Sequence, residues 1–123
     1  MEVEMTPLPK TWILDLDGTI VKHNGYKLDG KDSLLPGADS LLKQIAPDDM
    51  VVFITSRPVS LRDSTEMFLR EHGIRFDHII YEAPFGERIL VNDRKPSGRD
   101  MAYAVNGDRD AVPGLLIRRN EAL

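Results

Sequence analysis

The sequence predicts an α/β domain of Rossmann-like, three-layer form with a mostly parallel central sheet. Two observations predict it. Short unbroken apolar runs recur along the chain, and several end in a polar residue. Segments with helical spacing alternate with those runs, the pattern of strand–helix–strand units.

Residues 1–10 are expected to form a flexible lead-in, because Pro7 and Pro9 oppose regular structure. The domain proper is expected over residues 11–123. Trp12-Ile13-Leu14 leads into Asp15-Leu16-Asp17-Gly18, and an unbroken apolar run of that length suits a strand buried on both faces. Val51-Val52-Phe53-Ile54 runs into Thr55-Ser56, and Ile89-Leu90-Val91 into Asn92-Asp93, in the same manner. Ile79–Tyr81, Ala102–Val105 and Leu115–Ile117 are further candidate strands. A helix is expected through Ala38, Leu41, Leu42 and Ile45, ended by Pro47. A second begins at a capping box, Ser60-Leu61-Arg62-Asp63, turns Leu61, Phe68, Leu69 and His72 to one face, and stops at Gly73.

Composition excludes several classes of protein. At 123 residues the chain supports one core, with 41% apolar and 29% charged residues, as in ordinary globular domains. Without cysteine there are no disulfides, no thiolate catalysis and no cysteine-held zinc. No apolar run suits a bilayer and no signal sequence opens the chain, so a cytoplasmic location and no membrane partner are expected. A net charge of −4 argues against a general nucleic-acid binder. Its distribution is uneven: residues 1–50 hold nine acids and five bases, residues 51–123 eleven of each. His23, His72 and His78 lack metal-ligand spacing and are read as structural or surface residues.

Asp15, Thr55 and Asp93 each end a different apolar run. In open α/β sheets the ligand crevice lies outside the carboxyl ends of the strands, which predicts their convergence. Asp15 and Asp17, two apart, leave one face of an extended segment. Two such carboxylates repel unless a cation intervenes. With Asp93 they offer hard oxygen ligands suited to Mg²⁺. A carboxylate can also serve as a covalent nucleophile toward phosphorus, with Gly18 letting main-chain amides approach phosphate.

The stretch Asp15-Leu16-Asp17-Gly18-Thr19 resembles the DxDGT signature of the haloacid dehalogenase superfamily. Val51–Arg57 resembles its second motif and Ile89–Asp93 its fourth. The resemblance implies that Asp15 attacks phosphorus and ligates Mg²⁺. It implies that Asp17 acts as general acid and base, its carbonyl facing the metal, and that Asp93 completes the metal site. Thr55 would hold the phosphoryl group, assisted by Ser56 and Arg57. The superfamily's third motif, a basic residue, falls to Arg75, Arg88 or Lys95, with Lys95 preferred for its place beside Asp93. Only sixteen residues separate Thr19 from Pro36, too few for a cap domain, so the chain resembles the capless members.

An open site calls for a large substrate, a second copy of the chain or a partner subunit to cover it, with Val21–Leu35 as a flap beside it. The expected activity is hydrolysis of a phosphomonoester, such as a sugar phosphate, a small molecule being favoured over a macromolecule. The alternatives are a phosphatase acting on a nucleic-acid end or phosphoprotein, and a non-catalytic Mg²⁺- and phosphate-binding partner subunit.

Overall fold

A computed structural model describes residues 1–123. The order of elements is β1 (Glu2–Met5), β2 (Thr11–Asp15), α1 (Gly25–Leu28), α2 (Ala38–Leu42), β3 (Met50–Ile54), a 3₁₀ turn (Val59–Leu61), α3 (Arg62–Glu71), β4 (His78–Ile80) and β5 (Leu116–Arg119). All strand pairing is parallel, in two sheets ordered β2-β3-β4 and β1-β5. This is a small Rossmann-like α/β domain.

The three-stranded sheet positions the site. Trp12 pairs with Val51 and Leu14 with Phe53, so these four side chains share a face. They are buried with Ala38 and Leu41 of α2, Leu69 of α3, and Ile74. The opposite face is more open: Ile13 is 51% exposed, and Met50 and Ile80 are also exposed. The unbroken apolar run of β2 therefore alternates in burial rather than being covered on both sides. Phe53 is fully buried. Phe53→Ala is expected to cost about 3–5 kcal/mol through lost transfer energy and the cavity left behind, read from denaturant unfolding.

Local signals placed α2 and α3 with adjustments. Gly37, at φ +90°, precedes α2, and single-turn bonds carry the chain on to Ile45. The helix start at Ser60 is corrected: a 3₁₀ turn occupies Val59–Leu61, α3 begins at Arg62, and no side chain caps it. Ser64 Oγ donates instead to the Leu61 carbonyl. The far end is as expected. Gly73, at φ +66°, lets Gly73 N–H reach the Arg70 carbonyl and Ile74 N–H the Leu69 carbonyl, a Schellman closure that also buries Ile74 near Leu69.

Three expectations are overturned. Residues 1–10 are not all lead-in, since Glu2–Met5 forms β1 and pairs in register with β5. Ile89–Val91 is not a strand but exposed loop, 58–88% open, between Pro84-Phe85-Gly86 and Pro96. Ala102–Val105 is likewise irregular. An apolar run becomes a strand only when a neighbouring strand takes its hydrogen bonds, and neither segment has one.

At the amino ends of the strands, Asp49 accepts from Lys10 N at 2.8 Å, Ala46 N at 2.9 Å and Trp12 Nε1 at 2.9 Å. Burial pushes the Asp49 carboxyl up, but these bonds and the Lys10 charge outweigh it and hold it below the ordinary carboxylate value. A depressed folded-state pKa contributes stability above the unfolded value, near pH 4, that is lost as pH falls through the folded one. Acid unfolding followed by the single tryptophan, Trp12, should thus be shallower below about pH 4 in Asp49→Asn. That variant should also be weaker at neutral pH by roughly 1–3 kcal/mol.

Candidate acidic site at the strand ends

β2 delivers Asp15 at its carboxyl end, and the chain then turns tightly. The N–H groups of Ile20 and Val21 converge on the Leu16 carbonyl, while Gly18 N–H donates to the Val21 carbonyl at 2.7 Å. Gly18 needs its φ of +83°, and an added Cβ would press on Arg109 Cγ at 3.3 Å. Its own N–H is committed within the turn. The N–H groups of Asp17 and Ser56 donate to no protein acceptor. Leu16 is buried between the two partly exposed aspartates.

Asp15 is held by two donors. Thr19 Oγ1 donates to Oδ2 and Arg88 Nη1 to Oδ1, both at 2.8 Å. The Asp15 side chain is 36% exposed and Arg88 43%, so this pair is open to solvent and adds little stability. Of Arg75, Arg88 and Lys95, Arg88 is the one that stands at Asp15. Arg75 lies at the opposite end of the sheet, bonded to the carbonyls of Ala46 and Asp49 and to Asp77. The preference for Lys95 is corrected: its ammonium touches neither aspartate, and it sits in a loop where Lys95 N–H bonds the Arg99 carbonyl. Proximity in sequence to Asp93 carried no information, because that loop leaves the strand ends.

Asp93 is likewise corrected. It is exposed and lines a separate surface depression with Leu90, Asn92, Arg94, Asp100 and Met101. No three acids or histidines are gathered in a way that could hold a metal. The three-carboxylate site expected of Asp15, Asp17 and Asp93 is thus not assembled, because the strand that would have carried Asp93 does not form.

Asp17 faces inward. Its Oδ2 accepts from Thr55 Oγ1 at 2.8 Å, and its Oδ1 from Arg57 Nε at 3.0 Å and Nη2 at 2.8 Å. Thr55 follows β3, directly beside β2, and is buried, so its hydroxyl is committed to Asp17. Ser56 is partly exposed and makes no side-chain bond.

Arg57 differs from its expected role as a phosphate ligand. Its side chain is 3% exposed. Nη1 bonds Asp32 Oδ2 at 2.9 Å and Thr65 Oγ1 at 3.0 Å, and Nη2 also bonds Asp32 Oδ1 at 2.7 Å. A guanidinium has five N–H donors, and all five are taken. Burial pushes its proton affinity down, but the bonds to Asp32 and Asp17 more than offset this, so it stays charged. The Tyr26 ring lies 4.5 Å from its Cζ.

Asp32 and Tyr26 are the functional-site residues that sequence reasoning missed, although both fall in the expected flap. That flap is closed at its base by Val21 pairing with Leu34, Lys22 N–H on the Ser33 carbonyl and Leu35 N–H on the Ile20 carbonyl. Beyond the sheet, Tyr81 donates to Glu66, and burial with that bond pushes its phenol up to about 12.

Fold and site together define a Rossmann-like α/β domain with two carboxylates, a hydroxyl and two arginines at its strand ends. By structure, 70% of this chain matches a chain of the Pnkp1/Rnl/Hen1 RNA repair complex, with a TM-score of 0.52 and 28% sequence identity. The match spans 30% of that chain's length. No protein-family model matches the chain, and no curated protein matches it in sequence. No helix is long and apolar enough to cross a membrane.

Proposed function

We propose that the chain is a Mg²⁺-dependent phosphomonoester hydrolase of the haloacid dehalogenase type, working through Asp15. The observation that carries this reading is the division of labour between the two aspartates. Asp15 is solvent-accessible with a cation, Arg88, on one oxygen, whereas Asp17 is clamped by Thr55 and Arg57. A nucleophile needs access and a proton carrier needs a fixed orientation.

In this reading an Asp15 oxygen bonds to phosphorus as the bond to the leaving oxygen breaks. Asp17 delivers a proton to that oxygen. Asp17 then takes a proton from the water that attacks the aspartyl-phosphate, which frees inorganic phosphate and restores Asp15. Arg88 balances phosphoryl charge, and the free N–H groups of Asp17 and Ser56 supply donors to its oxygens. The donor set suits a water-rich Mg²⁺ on the Asp15 carboxylate and the Asp17 carbonyl rather than a three-carboxylate cage, in keeping with that ion's retention of water. When bound, Mg²⁺ would supply charge neutralisation for the transferring group.

The neighbour in an RNA repair complex favours a second reading, in which the same chemistry removes a terminal phosphate from RNA. A site without a cap would admit a strand end. The same neighbour, drawn from a multi-protein assembly, is compatible with the chain working beside a partner subunit. One screen separates these: sugar phosphates, nucleotides, phosphopeptides and 3′- or 5′-phosphorylated oligoribonucleotides, each with Mg²⁺ or EDTA. EDTA is expected to abolish turnover. Preference for oligonucleotide over small ester by tenfold or more in kcat/KM would establish the RNA reading, and Mg²⁺ binding without turnover the non-catalytic one.

A further inference from the structure

Arg57 joins two parts of the molecule that the chain could have left independent. On one side it grips Asp17 through Nε and Nη2, and on the other it forks Asp32 with Nη1 and Nη2. Asp32 and Tyr26 belong to the flap Val21–Leu35, whose tip is exposed at Leu28. The Asp32 side chain is 8% exposed, so this is a buried cation between two carboxylates. Such an arrangement is a poor source of stability, because desolvation cancels much of the attraction. It is a good source of geometry: a planar fork with five committed donors has one orientation, which a lysine could not reproduce.

We propose that Asp32 and Arg57 are positioning residues that yoke the flap to Asp17, so that the flap's placement sets the orientation of the acid/base carboxylate. The inference rests on the hydrolase reading above. A substrate that presses on the flap tip is then felt at Asp17 through three side chains, with no substrate contact by Asp32 or Arg57. Thr65 of α3 holds the remaining Nη1 hydrogen, which ties the hub to that helix independently of the flap.

The test uses p-nitrophenyl phosphate with Mg²⁺ and amide hydrogen exchange. Asp32→Asn sets an amide donor against a guanidinium donor. It should lower kcat roughly tenfold, with KM within about twofold, and speed exchange at Lys22 and Leu35 roughly tenfold. Asp32→Glu, which restores the charge, should recover most of the kcat. A loosened flap with wild-type kcat would overturn the yoke, as would a lost kcat that Asp32→Glu does not recover at all.

If Asp32→Asn fails to fold, Tyr26→Leu removes the stacking ring, leaves all three charges, and carries the same comparison with the same two outcomes. If the wild type hydrolyses no phosphomonoester, the hydrolase reading fails. The yoke is then judged without turnover: Asp17→Asn must speed exchange at Lys22 and Leu35, and unchanged exchange sinks it.

Discussion

Asp15→Asn is expected to abolish phosphomonoester hydrolysis while leaving the fold nearly untouched. On the proposed mechanism the substitution removes the charge of the attacking oxygen and so should lower kcat by roughly 10³-fold or more, about 4 kcal/mol of transition-state stabilisation. The cost in stability is set by different contacts. Asp15 gives up an exposed pair with Arg88, of a kind contributing about 0–1 kcal/mol. The Asn oxygen can still accept from Thr19 Oγ1. The carboxylate also stands two residues from Asp17, so neutralising it removes a like charge, which offsets part of that loss. Rate with p-nitrophenyl phosphate and thermal midpoint should therefore separate, the first collapsing and the second moving by a few degrees. Activity that survives Asp15→Asn would remove this residue from the mechanism, and with it the aspartyl-phosphate.

What the sequence could disclose about this fold follows from how local each signal is. The Gly73 closure of α3 and the polar residues at the ends of the β2 and β3 runs are fixed by near neighbours, whereas those two runs become strands by pairing with each other. β1 depends on a partner more than a hundred residues away, so Pro7 and Pro9 dominated its reading, although Glu2-Val3-Glu4-Met5 does alternate as an edge strand should. Ile89–Val91 fails for the converse reason: its composition suits a strand and no neighbour pairs with it.

The site divides in the same way. Asp15 and Asp17 were legible because their chemistry sits in one short motif. Arg88 reaches Asp15 across more than seventy residues, and Asp32 meets Arg57 only because the flap closes at Val21 and Leu34. An arginine near a phosphohydrolase motif reads as an anion ligand. Only the filling of all five donors by protein acceptors distinguishes a scaffold from a ligand, and that count is a property of the folded chain.

That same count makes Arg57→Met the most damaging single substitution expected for stability. Methionine approximates the stem of the side chain but leaves the Asp17 and Asp32 carboxylates facing each other without a cation. Asp32 is buried and Asp17 is 18% exposed. Breaking a buried ion pair by removing one partner costs about 3–5 kcal/mol, because the remaining charge is uncompensated. Here two charges remain and repel. Relief comes by admitting water, which opens the base of the flap. A fall in melting temperature on the order of 10 °C or more is expected at neutral pH. A third substitution isolates the charge term. Arg57→Met combined with Asp32→Leu replaces the flap half of the network by apolar groups, so it should recover much of the lost stability while leaving Asp17 without its clamp. If the double variant is instead as unstable as the single one, the deficit lies in packing around Arg57 and Tyr26 rather than in unpaired charge.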